Sequence, residues 1–194
     1  MAELATPPST LDLMRVDLSE SLAQSNLNPL ELSPFQRILI ATDGTVTEIV
    51  EAQYLETIRI VKLDENTERS CRAIPHLESK AGDEIYLRKV MLRGKITYRN
   101  YIYAESIILP SRVENVLQME LQNTSKPIGK LLLENRTETY REIMACGLEA
   151  AGELADYFGL EPDDALVSRT YRVFANREPM MLISEKFPFN AFRD

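Results

Sequence analysis

Arg88 and Glu185 are the residues whose setting suggests chemistry. Each is a charge placed where the surrounding pattern calls for an apolar side chain. In Ile85-Tyr86-Leu87-Arg88-Lys89-Val90-Met91-Leu92, two-residue alternation puts Arg88 on the face of Tyr86, Val90 and Leu92. In Met181-Leu182-Ile183-Ser184-Glu185-Lys186-Phe187, Glu185 shares a face with Met181, Ile183 and Phe187. A charge on a core face costs several kcal/mol unless it is paired. Either the two form an ion pair across a sheet, or they await a polar ligand in an apolar cavity. In the second case Arg88 would clamp a carboxylate with both guanidinium arms. Glu185 would accept from, or donate to, a hydroxyl, and Val, Met, Leu and Phe would hold a flat ring between them.

Other segments carry weaker signals. Lys126-Pro127-Ile128-Gly129 reads as a helix start with Pro127 at its first position, leaving the N–H groups of Ile128 and Gly129 free to meet an anion or water. Ile40-Ala41-Thr42-Asp43-Gly44-Thr45-Val46 resembles the D-x-D-G-T signature of haloacid-dehalogenase-type phosphatases. Ala41 stands where the nucleophilic aspartate is required, so the segment reads instead as a turn between helices. Glu105 alternates with Tyr103 and Ile107, and an edge position or a bridge to Arg99 or Lys89 would account for it. Arg169 and Arg172 lie on the penultimate strand. Either could supply positive potential, and a solvated face is expected for at least one.

Composition narrows the classes. A net charge of −8 argues against general nucleic-acid binding, which needs a basic surface, and requires any anion to be held by a local cationic cluster. His76 is the only histidine, and no serine sits in G-x-S-x-G, so a Ser-His-Asp hydrolase is not indicated. Cys71 and Cys146 are far apart, which suggests neither a disulfide framework nor a zinc site and makes a reducing cytoplasm the expected compartment. No apolar run reaches the length of a membrane span or of a signal peptide.

The elements that must position these residues follow from periodicity. Residues 1–28 read as a tail, partly flexible, with a weakly amphipathic piece from Leu11 to Leu18. Residues 29–194 read as one domain. Ser33-Pro34 starts a helix, and a second helix follows the 42–44 turn. A strand spans 58–62 and ends in a polar loop. Strands at 84–93 and 98–109 form a hairpin, and short helices follow Pro110 and Pro127. A strand spans 138–144, a helix 148–158 stops at Gly159, and a hairpin of 167–175 and 180–187 turns at Asn176-Arg177-Glu178-Pro179. Hairpins with helices between them, and no βαβ rhythm, imply an α+β fold on an antiparallel sheet.

With these residues in place, the chain resembles the chorismate pyruvate-lyase family. The resemblance rests on Tyr86 to Leu92, Ala104-Glu105-Ser106-Ile107-Ile108-Leu109-Pro110, Lys126 to Leu132, and Pro179 with Leu182 to Pro188. Residues 34–48 look like the branch of that superfamily found in cyanobacteria, archaea and some actinobacteria. The resemblance implies a single six-stranded antiparallel sheet with flanking helices around a buried cavity. It implies conversion of chorismate to 4-hydroxybenzoate and pyruvate without metal or cofactor, toward a plastoquinone-type head group. It puts the carboxylate-binding arginine at Arg88, the glutamate near the ring hydroxyl at Glu185, and main-chain contacts near Ile128 and Val46, beside the helix start at Ile128-Gly129. The ubiquinone-pathway enzyme carries arginine where this chain has Glu105. The superfamily also includes ligand-sensing domains of transcription regulators, so a non-catalytic aromatic-acid-binding module is the alternative.

Overall fold

The protein is described here by a computed structural model covering residues 14–124 and 126–193. The Pro-, Ser- and Thr-rich start, and Leu11 to Leu13 of the amphipathic piece, lie outside the described residues. Six strands form one antiparallel sheet: β1 (Ile58–Arg69), β2 (Glu84–Gly94), β3 (Asn100–Ile108), β4 (Tyr140–Ala150), β5 (Ala165–Ala175) and β6 (Glu178–Pro188). Their spatial order is β1-β2-β3-β6-β5-β4, so the two expected hairpins meet where β3 pairs with β6.

The helices are α1 (Val16–Ala23), α2 (Pro34–Ala41), α3 (Val46–Tyr54), α4 (Asn115–Asn123), α5 (Ile128–Glu134) and α6 (Ala155–Phe158). Ser33 and Gln36 close a capping box at the start of α2, and α2 and α3 form the expected helical hairpin. The helices leave two apolar clusters on one face of the sheet. In one, α1, α2 and α3 cover Ile60, Leu92, Ile102, Val167 and Phe187. In the other, α4 and α5 cover Tyr86, Ile108, Val173 and Met181. The polar residues of interest lie between them.

Several expectations need correction. The core reaches past residue 29 toward the N-terminus. Leu18 and Leu22 of α1 are buried, and Asp17 accepts a hydrogen bond from the backbone N–H of Ile143 on β4. The polar segment after Lys62 is not a loop. It continues β1 as an exposed edge strand, with a register shift between Lys62 and Asp64. A helix does not begin at Leu148, because β4 runs on to Ala150, which pairs with Ala165, and sheet pairing overrides the helical spacing. Helix returns as a 3₁₀ turn from Gly152 and then α6, stopped by Gly159 at φ 67°. The last hairpin turns on two residues, Asn176 and Arg177, both at positive φ, as a tight primed turn requires. Pro179 lies inside β6 beside a register shift, where a missing N–H is tolerated. Pro127 is the N-cap of α5, and Ile128 is its first helical residue.

Candidate active site

Cross-strand pairing lays the polar residues out on two rungs of the sheet. One rung runs Glu65, Arg88, Ser106, Ile183, Tyr171 and Ile143 from β1 to β4. The next runs Val90, Ala104, Glu185, Arg169 and Cys146 from β2 to β4. Arg88 and Glu185 are therefore two strand spacings and one rung apart, roughly 11–12 Å between backbones. Each takes a different partner, so the ion pair between them is not formed.

Arg88 is 2% exposed, and its Nε donates to Oε1 of Glu65 at 3.2 Å. The register shift in β1 delivers that partner. Without the extra residue, alternation from Ile60 and Lys62 would turn Glu65 to the opposite face. Among the described residues, Nη2 of Arg88 is buried with no hydrogen-bond partner. Burial lowers the pKa of Arg88, and the nearby Glu65 and Tyr86 only partly offset this. A guanidinium so placed stays charged and under-compensated.

Glu185 is held as an acceptor on both oxygens. Arg169 Nε donates to Oε2 at 2.8 Å, and the Tyr171 hydroxyl donates to Oε1 at 3.0 Å. Arg169 is itself buried. Its Nη1 donates to the carbonyls of Leu39 at 2.5 Å and Thr42 at 2.9 Å, at the carbonyl-rich end of α2 where a cation is favoured. Its guanidinium stacks 4.8 Å above the Tyr171 ring. Burial and the charge of Glu185 raise the Tyr171 pKa, keeping it a phenol donor.

A cavity of about 50 Å³, against the roughly 10–15 Å³ a cavity needs to hold one water, lies over these rungs. Arg88, Glu185, Val46, Ile128 and Gly129 all line it, with walls from Ile60, Val90, Leu92, Leu132, Val173 and Ile183. The starts of α3 and α5 meet above it. A Cβ at Gly129 would stand 2.5 Å from Cγ2 of Thr45, so this approach requires glycine. Lys130 and Glu51 tie the two helices at 2.7 Å.

The remaining expectations divide. Glu105 is neither on an edge strand nor in the cavity. It lies on central β3, beside Lys89 and Ser184 in register, and accepts from the Tyr103 hydroxyl at 2.5 Å. Arg172 is bound to Glu142, away from the cavity-lining residues. Sequence reasoning passed over Glu65, Tyr171 and Arg141, and it left Arg169 undecided. The alternation Val167, Arg169, Tyr171, Val173 carried the same signal as that around Glu185, a charge on an otherwise apolar face.

Residues 40–193 match the model of the family described as chorismate pyruvate-lyase Rv2949c-like. The chain belongs to that family. Among its relatives, the chorismate pyruvate-lyase of Mycobacterium leprae is 29% identical over 159 residues, covering 81% of this chain and 76% of its own. That of Mycobacterium tuberculosis (strain H37Rv) is 26% identical over 162 residues, covering 81% of each. Among solved structures, the effector domain of PhnF from Mycobacterium smegmatis superposes with a TM-score of 0.59 at 10% identity, covering 76% of this chain and 90% of that one. A GntR-family transcriptional regulator from Enterococcus faecalis superposes at 0.53 with 14% identity, covering 69% of this chain and 95% of that one. At such identities the structural likeness shows the fold alone. This chorismate pyruvate-lyase family member thus has its sheet fold in common with the effector domain of PhnF.

Proposed function

We propose that the chain is a lyase that converts chorismate to 4-hydroxybenzoate and pyruvate, with Arg88 and Glu185 as its central residues. The observation that carries this reading is the under-compensated guanidinium of Arg88. It shares an apolar cavity with a carboxylate whose oxygens are already oriented, in a chain of this family.

Arg88 receives the ring carboxylate, which supplies the anion its Nη2 lacks. Glu185, steadied by Arg169 and Tyr171, accepts from the ring hydroxyl beside the ether. Main-chain groups at Val46, Ile128 and Gly129 close over the ring. The ether bond from the ring to the enolpyruvyl group breaks, and the hydrogen on the hydroxyl-bearing carbon leaves as a proton. The departing enolpyruvate takes up a proton on its methylene carbon and becomes pyruvate. The ring gains aromaticity, so the step is downhill and the site contributes positioning and exclusion of water. Family membership supports the reaction class. The identity of the product, its use in a plastoquinone-type head group and a cytoplasmic setting belong to this proposal, the last in keeping with free cysteines at positions 71 and 146.

The test is direct. Purified protein is mixed with chorismate in EDTA, and both 4-hydroxybenzoate and pyruvate are followed. Equal release of the two above the uncatalysed rate is expected. No release would remove the lyase reading. Saturable 4-hydroxybenzoate binding without turnover would favour the second reading, a non-catalytic aromatic-acid-binding module, which draws its support from the fold of the PhnF effector domain.

A further inference from the structure

The cavity holds a second cation that the reading above does not use. Arg141 lies on β4, one rung from Tyr171 and on the same face, and its side chain lines the cavity. The carboxylates around it are engaged elsewhere. Asp17 and Asp43 face Arg15, at 2.7 Å and 3.9 Å, and Glu142 is bound to Arg172. Among the described residues, the hydrogen bond of the Arg141 guanidinium goes to the carbonyl of Asp43, in the turn between α2 and α3. A neutral carbonyl orients a guanidinium without cancelling its charge. In a chain of net charge −8, a cation without a carboxylate partner on a cavity wall stands against the average field.

Its position relative to Arg88 sets what it could bind. Arg88 on β2 and Arg141 on β4 are separated by four strand spacings and one rung, roughly 20 Å between backbones, and both side chains line the same space. Glu185 and Tyr171 stand between them, and the charge of Arg141 is felt at the Tyr171 hydroxyl. The cavity is therefore bracketed by a cation at each end with an acceptor in the middle. We infer that Arg141 anchors the second carboxylate of a ring diacid, so that the site is selective for dianions. This rests on the proposed function only for the identity of that diacid, chorismate.

Two probes separate the possibilities. By calorimetry, the whole chain is titrated with 4-hydroxybenzoate, which has one carboxylate. It is also titrated with 3-carboxymethoxy-4-hydroxybenzoate, an unreactive ring diacid. The diacid should bind at least about tenfold more tightly. Arg141→Ala should abolish that preference while leaving 4-hydroxybenzoate within about twofold, and Arg141→Lys should restore part of it. Arg88→Ala should weaken both. With chorismate, Arg141→Ala should raise KM about tenfold with kcat little changed. The inference is overturned if the unmodified chain shows no preference for the diacid. It is also overturned if Arg141→Ala weakens both ligands alike, because Arg141 would then only brace the turn at Asp43. A chain that prefers the diacid but leaves chorismate intact would lose the lyase reading and keep this one.

Discussion

Arg88 and Arg169 are both buried on the same face of one sheet, one rung apart, yet the protein answers their charges to different degrees. Arg169 has a carboxylate at 2.8 Å, two backbone carbonyls and an aromatic ring beneath it. Burial opposes its charge more than any other single effect, but Glu185 and Tyr171 together leave its pKa raised. Arg88 has the half-buried Glu65 at 3.2 Å and a pKa that burial lowers. Nη2 of each arginine is without a hydrogen-bond partner among the described residues, but Arg88 lines the cavity and Arg169 does not. Arg169 is built into the fold and orients Glu185. Arg88 lines the cavity and carries a charge the protein leaves incompletely answered. A site can be located by where compensation stops, because an unanswered buried charge costs stability that a bound anion returns.

The comparison can be broken most sharply by removing each arginine. Arg169→Ala leaves Glu185 buried without its cation and should cost about 3–5 kcal/mol in denaturant unfolding. Replacing both partners, Arg169→Met with Glu185→Met, should recover most of that loss. If Arg169→Ala costs no more than the same change at Arg88, the two arginines are equivalent and the distinction fails.

Glu185 links the two halves, so its conservative variant tests function with little change in packing. Glu185→Gln should lower kcat for chorismate about a thousandfold, read by pyruvate release, and, because it leaves buried Arg169 without its counter-charge, it should also lower thermal stability while the chain stays folded. A near-normal rate would remove Glu185 from the chemistry.

Arg88→Met should leave the unliganded protein within about 1 kcal/mol of the original, or more stable, since a poorly compensated charge is replaced by an apolar chain. Its affinity for 4-hydroxybenzoate should fall about a hundredfold, and the rise in melting temperature that this ligand produces should vanish. A retained ligand-induced shift would mean that Arg88 does not hold the carboxylate.

The smallest effect is read at the cysteines. Cys146 is paired in register with Arg169, and burial pushes its thiol up to about 11. At about pH 8 a thiol reagent should therefore modify exposed Cys71 promptly and Cys146 slowly. Arg169→Ala should open Cys146 to the reagent, whereas Arg88→Met should not. Equal labelling in both variants would show that the two rungs loosen together.

Much of this molecule was legible in the chain. Two-residue alternation located the strands bearing Arg88 and Glu185 and marked both as charges on a core face. Ser33-Pro34 and Gly159 marked a helix start and a helix stop. Motif resemblance pointed to the family and to the residues that line one cavity. These signals are local, because a strand's facing and a helix's cap depend on neighbours within a few positions. Which charge answers which was not local. Glu65 reaches Arg88 only because β1 slips by one residue after Lys62. Arg169 reaches Glu185 only because β5 and β6 pair in that register, and Arg141 reaches the cavity only because β4 closes the sheet's far edge. The sequence determined that two charges would be buried on one face of a sheet. The tertiary structure decided that they would stand apart on one cavity, Glu185 with both oxygens partnered and Arg88 only partly answered, because electrostatic partners are chosen by distance in space rather than along the chain.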